Sequence, residues 1–246
     1  MINLINFKKS FVSSGLLKDM TDIHSHILFN IDDGIRKYED AVTSLRWLKQ
    51  NGINFMYLTP HIMSEFPNNT SKYLSKAFNS FIKRLENDGI DNIPELKIGA
   101  EYMLEPTFER HKDEGLITFA DHHVLVETSY MTPPMGFIQM LEKLMEDGYS
   151  PILAHPERYN YMDNDDYKLL KKTGVKFQLN FLSLTGSYGR IAKEKAAQLL
   201  KDNQYSYTGS DFHDLSRHNN SFFVKSLTKK QIENLRLVIE NNNSLW

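Results

Sequence analysis

The chain contains no cysteine. That single absence excludes a disulfide framework, a thiolate zinc site and a cysteine nucleophile. Positive charge is not in excess either. Against 31 Asp and Glu stand 29 Lys and Arg, a formal charge of -2, so the composition does not point to DNA or RNA as a partner. Long hydrophobic runs are also missing. The N-terminal MINLINFKKSFVSSGLLKDM is mildly apolar, but Lys8, Lys9 and Lys18 break it and it carries no clear cleavage site. The expectation is a cytoplasmic protein without a transmembrane segment. Linkers rich in Pro, Gly or Ser, low-complexity tracts and close repeats are absent from the 246 residues. The economical division is an N-terminal extension over residues 1–20 and one domain over residues 21–246.

What is present is an alternation of strand and helix signals. TDIHSHILF, INFMYLTPH, LKIGAEYML, HHVLVETSY, YSPILAHPE, VKFQLNF and YSYTGSDFH read as strands. Between them lie helical patterns. RKYEDAVTSLRWLKQNG places Ala41, Leu45 and Leu48 on one face and ends at Gly52, and SKYLSKAFNSFIKRLENDG and FIQMLEKLMEDG follow the same logic. Shorter helical stretches are expected near residues 106–114, 165–172, 190–203 and 229–241. Seven strands with helical crossovers predict a mostly parallel sheet closed, or nearly closed, into a barrel, with an open doubly wound sheet as the alternative.

The polar residues fall where such a barrel concentrates chemistry. His24 and His26 lie on the first strand, with Asp32 and Asp33 just past it. His61, Glu101, Glu127 and His155 end the second to fifth strands, and Asp211 and His213 end the last. Each is at or beyond the C-terminal end of its strand, the end from which loops converge. Side chains at i and i+2 share a face, so His24 with His26, and Asp211 with His213, are natural chelating pairs. Five imidazoles with Asp33, Glu101, Glu127 and Asp211 exceed the needs of one ion. They predict two or three metals with nitrogen and oxygen ligands, suited to Mn, Fe or Zn. His111, His122 and His123 read as structural or solvated, and His218 as either a loop residue or a residue at the edge of the site.

The ordered set HSH, DDG, TPH, GAEY, HPER and GSDFH resembles the polymerase and histidinol phosphatase (PHP) superfamily of metal-dependent phosphoesterases, from about Asp22 to about His213. Within it, DIHSHILFNIDDG, AHPERY and SDFH look most like the tyrosine-protein phosphatases of bacterial capsular and exopolysaccharide operons. The resemblance implies a distorted seven-stranded β/α (TIM-like) barrel and a trinuclear site. By position His24, His26, Glu101 and Asp211 would bind one metal, Glu101, Glu127 and His155 a second, and Asp33, His61 and His213 a third. It also implies, as substrate and partner, the phosphotyrosine tail of a membrane-anchored bacterial tyrosine kinase that controls polysaccharide export. Relatives often carry a second arginine beyond the last Asp-x-His. Arg217 is the nearby candidate here.

With no cysteine, and no Asp-x-Asp after the first strand, a phosphate monoester is left to metal-activated water, whose pKa a cation lowers from about 15.7 to about 7. The expected mechanism has a metal-bridging hydroxide attacking phosphorus, Arg158 binding the non-bridging oxygens, and His213 or Asp211 assisting proton transfer. Met131 to Phe137, with Tyr159 and Tyr161, could wall a slot for a phenyl ring, although core packing explains them as well. Two rivals are a PHP-type phosphoesterase for a small monoester such as histidinol phosphate, and a non-catalytic, metal-braced binding module.

Overall fold

The computed structural model describes residues 7–120 and 122–246. Its strands are β1 (Met20–Asp22), β2 (Ile53–Leu58), β3 (His61–Ile62), β4 (Glu95–Ile98), β5 (Glu101–Met103), β6 (His123–Glu127), β7 (Ser150–Ala154), β8 (Lys176–Asn180) and β9 (Tyr207–Gly209), all paired in parallel. Two of the breaks are local. β3 continues β2 and β5 continues β4, because the register holds across the gap: Leu58 lies opposite Ile98 and His61 opposite Glu101. Gly99 N still donates to Leu58 O and Glu101 N to Pro60 O. The interruption coincides with Pro60, which has no N–H to give. The result is a distorted seven-stranded β/α barrel.

The barrel closes between its first and last strands. TDIHSHILF was expected as one strand, but the regular ladder stops at Asp22, and only Ser25 bridges onward, to Phe212. Asp211 N donates to His24 O and His26 N to Phe212 O, each at 2.8 Å. Lower down, the buried Asn242 side chain substitutes for a ladder. Its amide nitrogen donates to Thr21 O and Thr208 O, both at 2.7 Å, and its oxygen accepts from Thr208 N. Asn242 ends the helix Lys229–Asn242, which covers this seam.

Inside the barrel each strand changes character along its length. Tyr57, Leu125 and Ile152 belong to an apolar plug with Phe119 and Leu245. Farther along the same strand faces stand His61 and Glu127, as the period of two requires. Outside, amphipathic helices complete the core. Helix Tyr38–Gln50 buries Ala41, Leu45 and Leu48, and helix Ser71–Asn87 buries Leu74, Phe81 and Leu85.

The segment before the barrel is packed from Lys9 onward. Lys9 pairs with Leu227, and Phe11 is fully buried with its ring 4.9 Å from that of Phe181. Residues 1–6 of the expected extension lie outside the described residues. Among the described residues no helix is long and apolar enough to cross a membrane.

Candidate metal centre

The strand ends bring nine side chains together: His24, His26, Asp33, His61, Glu101, Glu127, His155, Asp211 and His213. All but Asp33 and His213 are buried. Their ligand atoms form overlapping groups that could hold metal ions: His24, His26 and Asp211; His24, Glu101 and His155; His61, Glu101 and Glu127; and His26, Asp33, His61 and His213. Glu127 thus groups with His61 and Glu101. Its distance to His155 is 3.9 Å, against 3.0 Å to His61 Nδ1. The division implied by the resemblance placed it with His155.

Hydrogen bonds behind the ring fix the imidazole tautomers. His24 Nδ1 donates to Gln178 Oε1 at 3.0 Å, and His26 Nδ1 donates to Asp32 Oδ2 at 2.9 Å. Each ring therefore turns the lone pair of Nε2 inward, and these two nitrogens face each other at 3.2 Å. Two lone pairs at that distance repel unless a cation lies near both. His213 follows the same rule, its Nδ1 donating to Asp211 O at 2.9 Å. Asp32, outside the ligand set that the resemblance implies, is a buried anchor that also accepts from the backbone nitrogens of His61 and Gly34.

Several of the buried polar atoms that lack partners converge here. Glu101 Oε2, Glu127 Oε1 and His61 Nδ1 are buried without a hydrogen bond, yet His61 Nδ1 lies 3.2 Å from Glu101 Oε2 and 3.0 Å from Glu127 Oε1. Burying such atoms unpaired is costly, and convergence on a shared cation would satisfy them. Charge gives the same answer. Burial opposes ionisation throughout, but the imidazoles hold Glu101 and Asp211 well below the usual carboxylate range, and the carboxylates hold His26 and His61 well above the usual imidazole range. The cluster demands positive charge among its carboxylates: without an ion, protons on the imidazoles would supply it, and bound metal ions would take their place on the inward Nε2 lone pairs, so these residues fit bound metal ions.

Two glycines let the backbone segments approach this closely. A Cβ on Gly34 would stand 2.1 Å from His26 O, and one on Gly209 would stand 2.6 Å from His24 Cβ. The two backbones can only sit there bare. His155 and Asp211 adopt left-handed φ values of 35° and 52°. This conformation is uncommon for non-glycine residues and tends to occur at functional sites.

At the rim, Arg158 Nη1 donates to Asp211 Oδ2 at 2.8 Å. Asn180 Nδ2 and the Tyr188 hydroxyl donate to the same oxygen, at 2.7 Å and 3.2 Å. Asp211 Oδ1 faces inward, 3.5 Å from His24 Nε2 and 3.4 Å from His26 Nε2. Glu157 is not the partner of Arg158; it is buried against Asn180 N, Ser183 and Tyr205. Arg217 lies at the same rim, its guanidinium 4.5 Å from the Tyr188 ring centre. His218 is fully buried with its ring nitrogens 2.9 Å from Asp214 O and 3.0 Å from Ser210 O, bracketing the loop that carries Asp211 and His213. Tyr159, expected as a slot wall, is fully buried and donates to Ala154 O. Tyr130 faces the site instead, its ring centre 5.8 Å from that of His155. His123 begins β6, at the opposite end of the barrel, and His111 is buried in the helix Phe108–Asp113.

A family profile described as capsular polysaccharide synthesis, CpsB/CapC, matches residues 20–244. The chain belongs to the CpsB/CapC family. Its similarity to family members runs through most of their length. The tyrosine-protein phosphatase YwqE of Bacillus subtilis is 28% identical over 206 residues, 81% of this chain and 80% of that protein. The tyrosine-protein phosphatase CpsB of Streptococcus agalactiae is 26% identical over 80% of this chain and 84% of its own. Among solved structures, one from the work on YwqE from Bacillus subtilis and CpsB from Streptococcus pneumoniae, there called unique metal-dependent tyrosine phosphatases, superposes with a TM-score of 0.76. It does so at 25% identity over 90% of this chain and 95% of that one. A probable 2-pyrone-4,6-dicarboxylic acid hydrolase from Acinetobacter baumannii, 14% identical with a TM-score of 0.53 over 92% of this chain and 98% of its own, shares the fold.

Gln178, Asn180, Tyr130 and Tyr188 were not singled out from the CpsB/CapC sequence. Gln178 and Asn180 had a readable signal, two amides at i and i+2 at the end of VKFQLNF, on the face the other strands use for their ligands. Tyr130 closes HHVLVETSY, expected as strand to its end, but β6 stops at Glu127 and leaves it on the following loop; Tyr188 had no signal, since it lies in the turn before helix Gly189–Lys201.

Proposed function

We propose that this chain is a metal-dependent protein-tyrosine phosphatase, built as a single domain, that hydrolyses phosphotyrosine with two or three Mn, Fe or Zn ions. The observation that carries the reading is the facing pair His24 Nε2 and His26 Nε2, lone pair to lone pair within a ring of buried carboxylates. His24, His26, Asp33, His61, Glu101, Glu127, His155, Asp211 and His213 would hold the ions. Bound there, they supply an acidified water and offset the charge of the phosphate.

The remaining work belongs to the chain. Arg158 keeps a planar fork at the rim, and its unused N–H groups suit the non-bridging oxygens of a phosphate monoester. Arg217 faces the same opening. Asp211 Oδ2 already accepts from three donors, and a His213 that holds an ion has both nitrogens engaged, Nδ1 by Asp211 O, so the proton for the leaving group falls to water at the open rim beside the 21% exposed His213 side chain. A tyrosyl leaving group, with a pKa of about 10, demands little of that acid. The absence of cysteine leaves no thiolate route. The substrate is the phosphotyrosine tail of a membrane-anchored bacterial tyrosine kinase, which places the phosphatase in the cytoplasm.

The deciding experiment measures metal per chain on protein purified without chelator, with turnover of a phosphotyrosine peptide and of histidinol phosphate before and after stripping. Two or three ions, with peptide turnover lost on stripping and regained with manganese, support the reading. Faster turnover of histidinol phosphate would move the protein to small monoesters. Metal-replete protein that binds the peptide without turnover would make it a binding module.

A further inference from the structure

The rim carries an alternation that the proposed mechanism does not use. The guanidinium of Arg158 lies 4.4 Å from the ring centre of Tyr130 and 4.0 Å from that of Tyr188, and the guanidinium of Arg217 lies 4.5 Å from the same Tyr188 ring. Tyr130 comes from the loop after β6, Arg158 from a 3-10 turn after β7, Tyr188 from the turn before helix Gly189–Lys201, and Arg217 from helix Leu215–Phe222. Four separate segments thus supply ring, cation, ring and cation.

Tyr188 is held at both its face and its tip. Its hydroxyl donates to Asp211 Oδ2 at 3.2 Å and accepts from Asn180 Nδ2 at 3.0 Å. The geometry points to Tyr188 as a positioning residue, whose ring holds Arg158 and Arg217 together at the mouth as a ready receptor for a phosphate dianion. Two guanidinium groups repel each other, and each side chain has many rotamers to lose on binding. An aromatic ring in contact with both offsets the first cost and removes much of the second before the anion arrives. Tyr130 steadies Arg158 from its other side. Beside it a cleft of about 280 Å³, lined by Tyr130, Arg158, Asn160 and Tyr188, opens toward solvent, so an incoming ester meets the guanidinium in its held position. The choice of phosphate rests on the phosphoesterase reading, whereas the clamp rests on the contacts alone.

The test titrates inorganic phosphate into the manganese-loaded, full-length chain by calorimetry, alongside steady-state turnover of a phosphotyrosine peptide and metal content per chain. Tyr188→Leu is expected to weaken phosphate about tenfold and to raise KM more than it lowers kcat, with metal content unchanged. Tyr188→Phe keeps the ring and should bind phosphate nearly as the parent does. In the Arg158→Ala background, Tyr188→Leu should cost markedly less than it does alone, because half of what the ring holds has gone. Tyr130→Leu, which touches only Arg158 of the pair, should weaken phosphate in the same direction and serves if Tyr188→Leu does not fold. Unchanged phosphate affinity in both leucine variants would overturn the inference. So would a Tyr188→Phe variant as weak as Tyr188→Leu, since the hydroxyl bond to Asp211 would then carry the effect. A parent that binds phosphate but turns over no phosphotyrosine would overturn the phosphatase reading while the phosphate titrations still decide the clamp. A parent that binds no phosphate would overturn the clamp itself.

Discussion

Asp32 Oδ2 and His26 Nδ1 are bonded at 2.9 Å in a fully buried pair, and that bond selects which nitrogen of His26 faces the centre. Asparagine at position 32 can present an N–H to Nδ1 and turn the tautomer around, leaving a proton where the lone pair belongs. Asp32→Asn is expected to lower metal affinity about 10–100-fold, the usual cost of losing such an outer partner. Chelator competition measures it, and unchanged affinity would remove Asp32 from the design of the centre.

Arg158 should separate binding of metal from binding of phosphate. Without it, Asp211 Oδ2 keeps two donors, Asn180 and Tyr188, so the carboxylate stays oriented. Arg158→Ala is expected to lower kcat/KM for a phosphotyrosine peptide on the order of 10²-fold, as loss of one charge-stabilising donor does elsewhere, with the metal content of the parent. Arg158→Lys restores charge without the fork and should recover only part. Kinetics equal to the parent's would sink the role.

Gly209 is predicted to tolerate nothing larger. Its missing Cβ would lie 2.6 Å from His24 Cβ and 3.0 Å from Gln178 Nε2, so alanine pushes on both a proposed ligand and the amide that orients it. Gly209→Ala should cost about 1–3 kcal/mol in denaturant unfolding, as overpacking does, and more when metal is present than when it is stripped. An equal cost in both states would mean the strain never reaches His24.

Much of this centre was legible because strand alternation and strand polarity are local properties. HSH and SDFH each place two donors on one face, and HPER and TPH each place one at a strand end. Contacts between distant segments were not legible. Asn180 could be read as an amide at a strand end, but nothing in VKFQLNF tells that it will meet Asp211. Of the two readings open for Tyr159, slot wall and core packing, a 3-10 turn after β7 selects the core by sending it inward to Ala154 O, while Tyr130, left on a loop where β6 stops at Glu127, takes the outward place. The closing seam was hidden for the same reason, since its lower half is made by Asn242 from the last long helix.

At the other end of the barrel, burial and the neighbouring Lys176 and His122 push the His123 imidazole down to about 4 from its ordinary 6.5. The folded protein keeps His123 neutral where the unfolded chain is protonated. Its contribution to stability is therefore full above pH 6.5 and is lost as pH falls from 6.5 through about 4. His123→Gln keeps an acceptor for Lys176 Nζ, which donates to His123 Nε2 at 3.0 Å, but cannot titrate. Urea midpoints of the variant should fall less than those of the parent between pH 7.5 and pH 5. Parallel declines would place the acid sensitivity elsewhere.

The seam between β1 and β9 has a consequence for how the protein is made. Ser210 Oγ donates to His24 O across 186 residues of chain, and such distant closures come late because the entropy of the intervening loop must be lost first. A chain still emerging from the ribosome presents His24, His26 and Glu101 before Asp211 or His213, so its donor set stays incomplete until β9 and the loop after it have been made. Uptake of the proposed ions would thereby be tied to closure of the barrel, and a product truncated before β9 would be expected to carry neither ions nor activity into the cell.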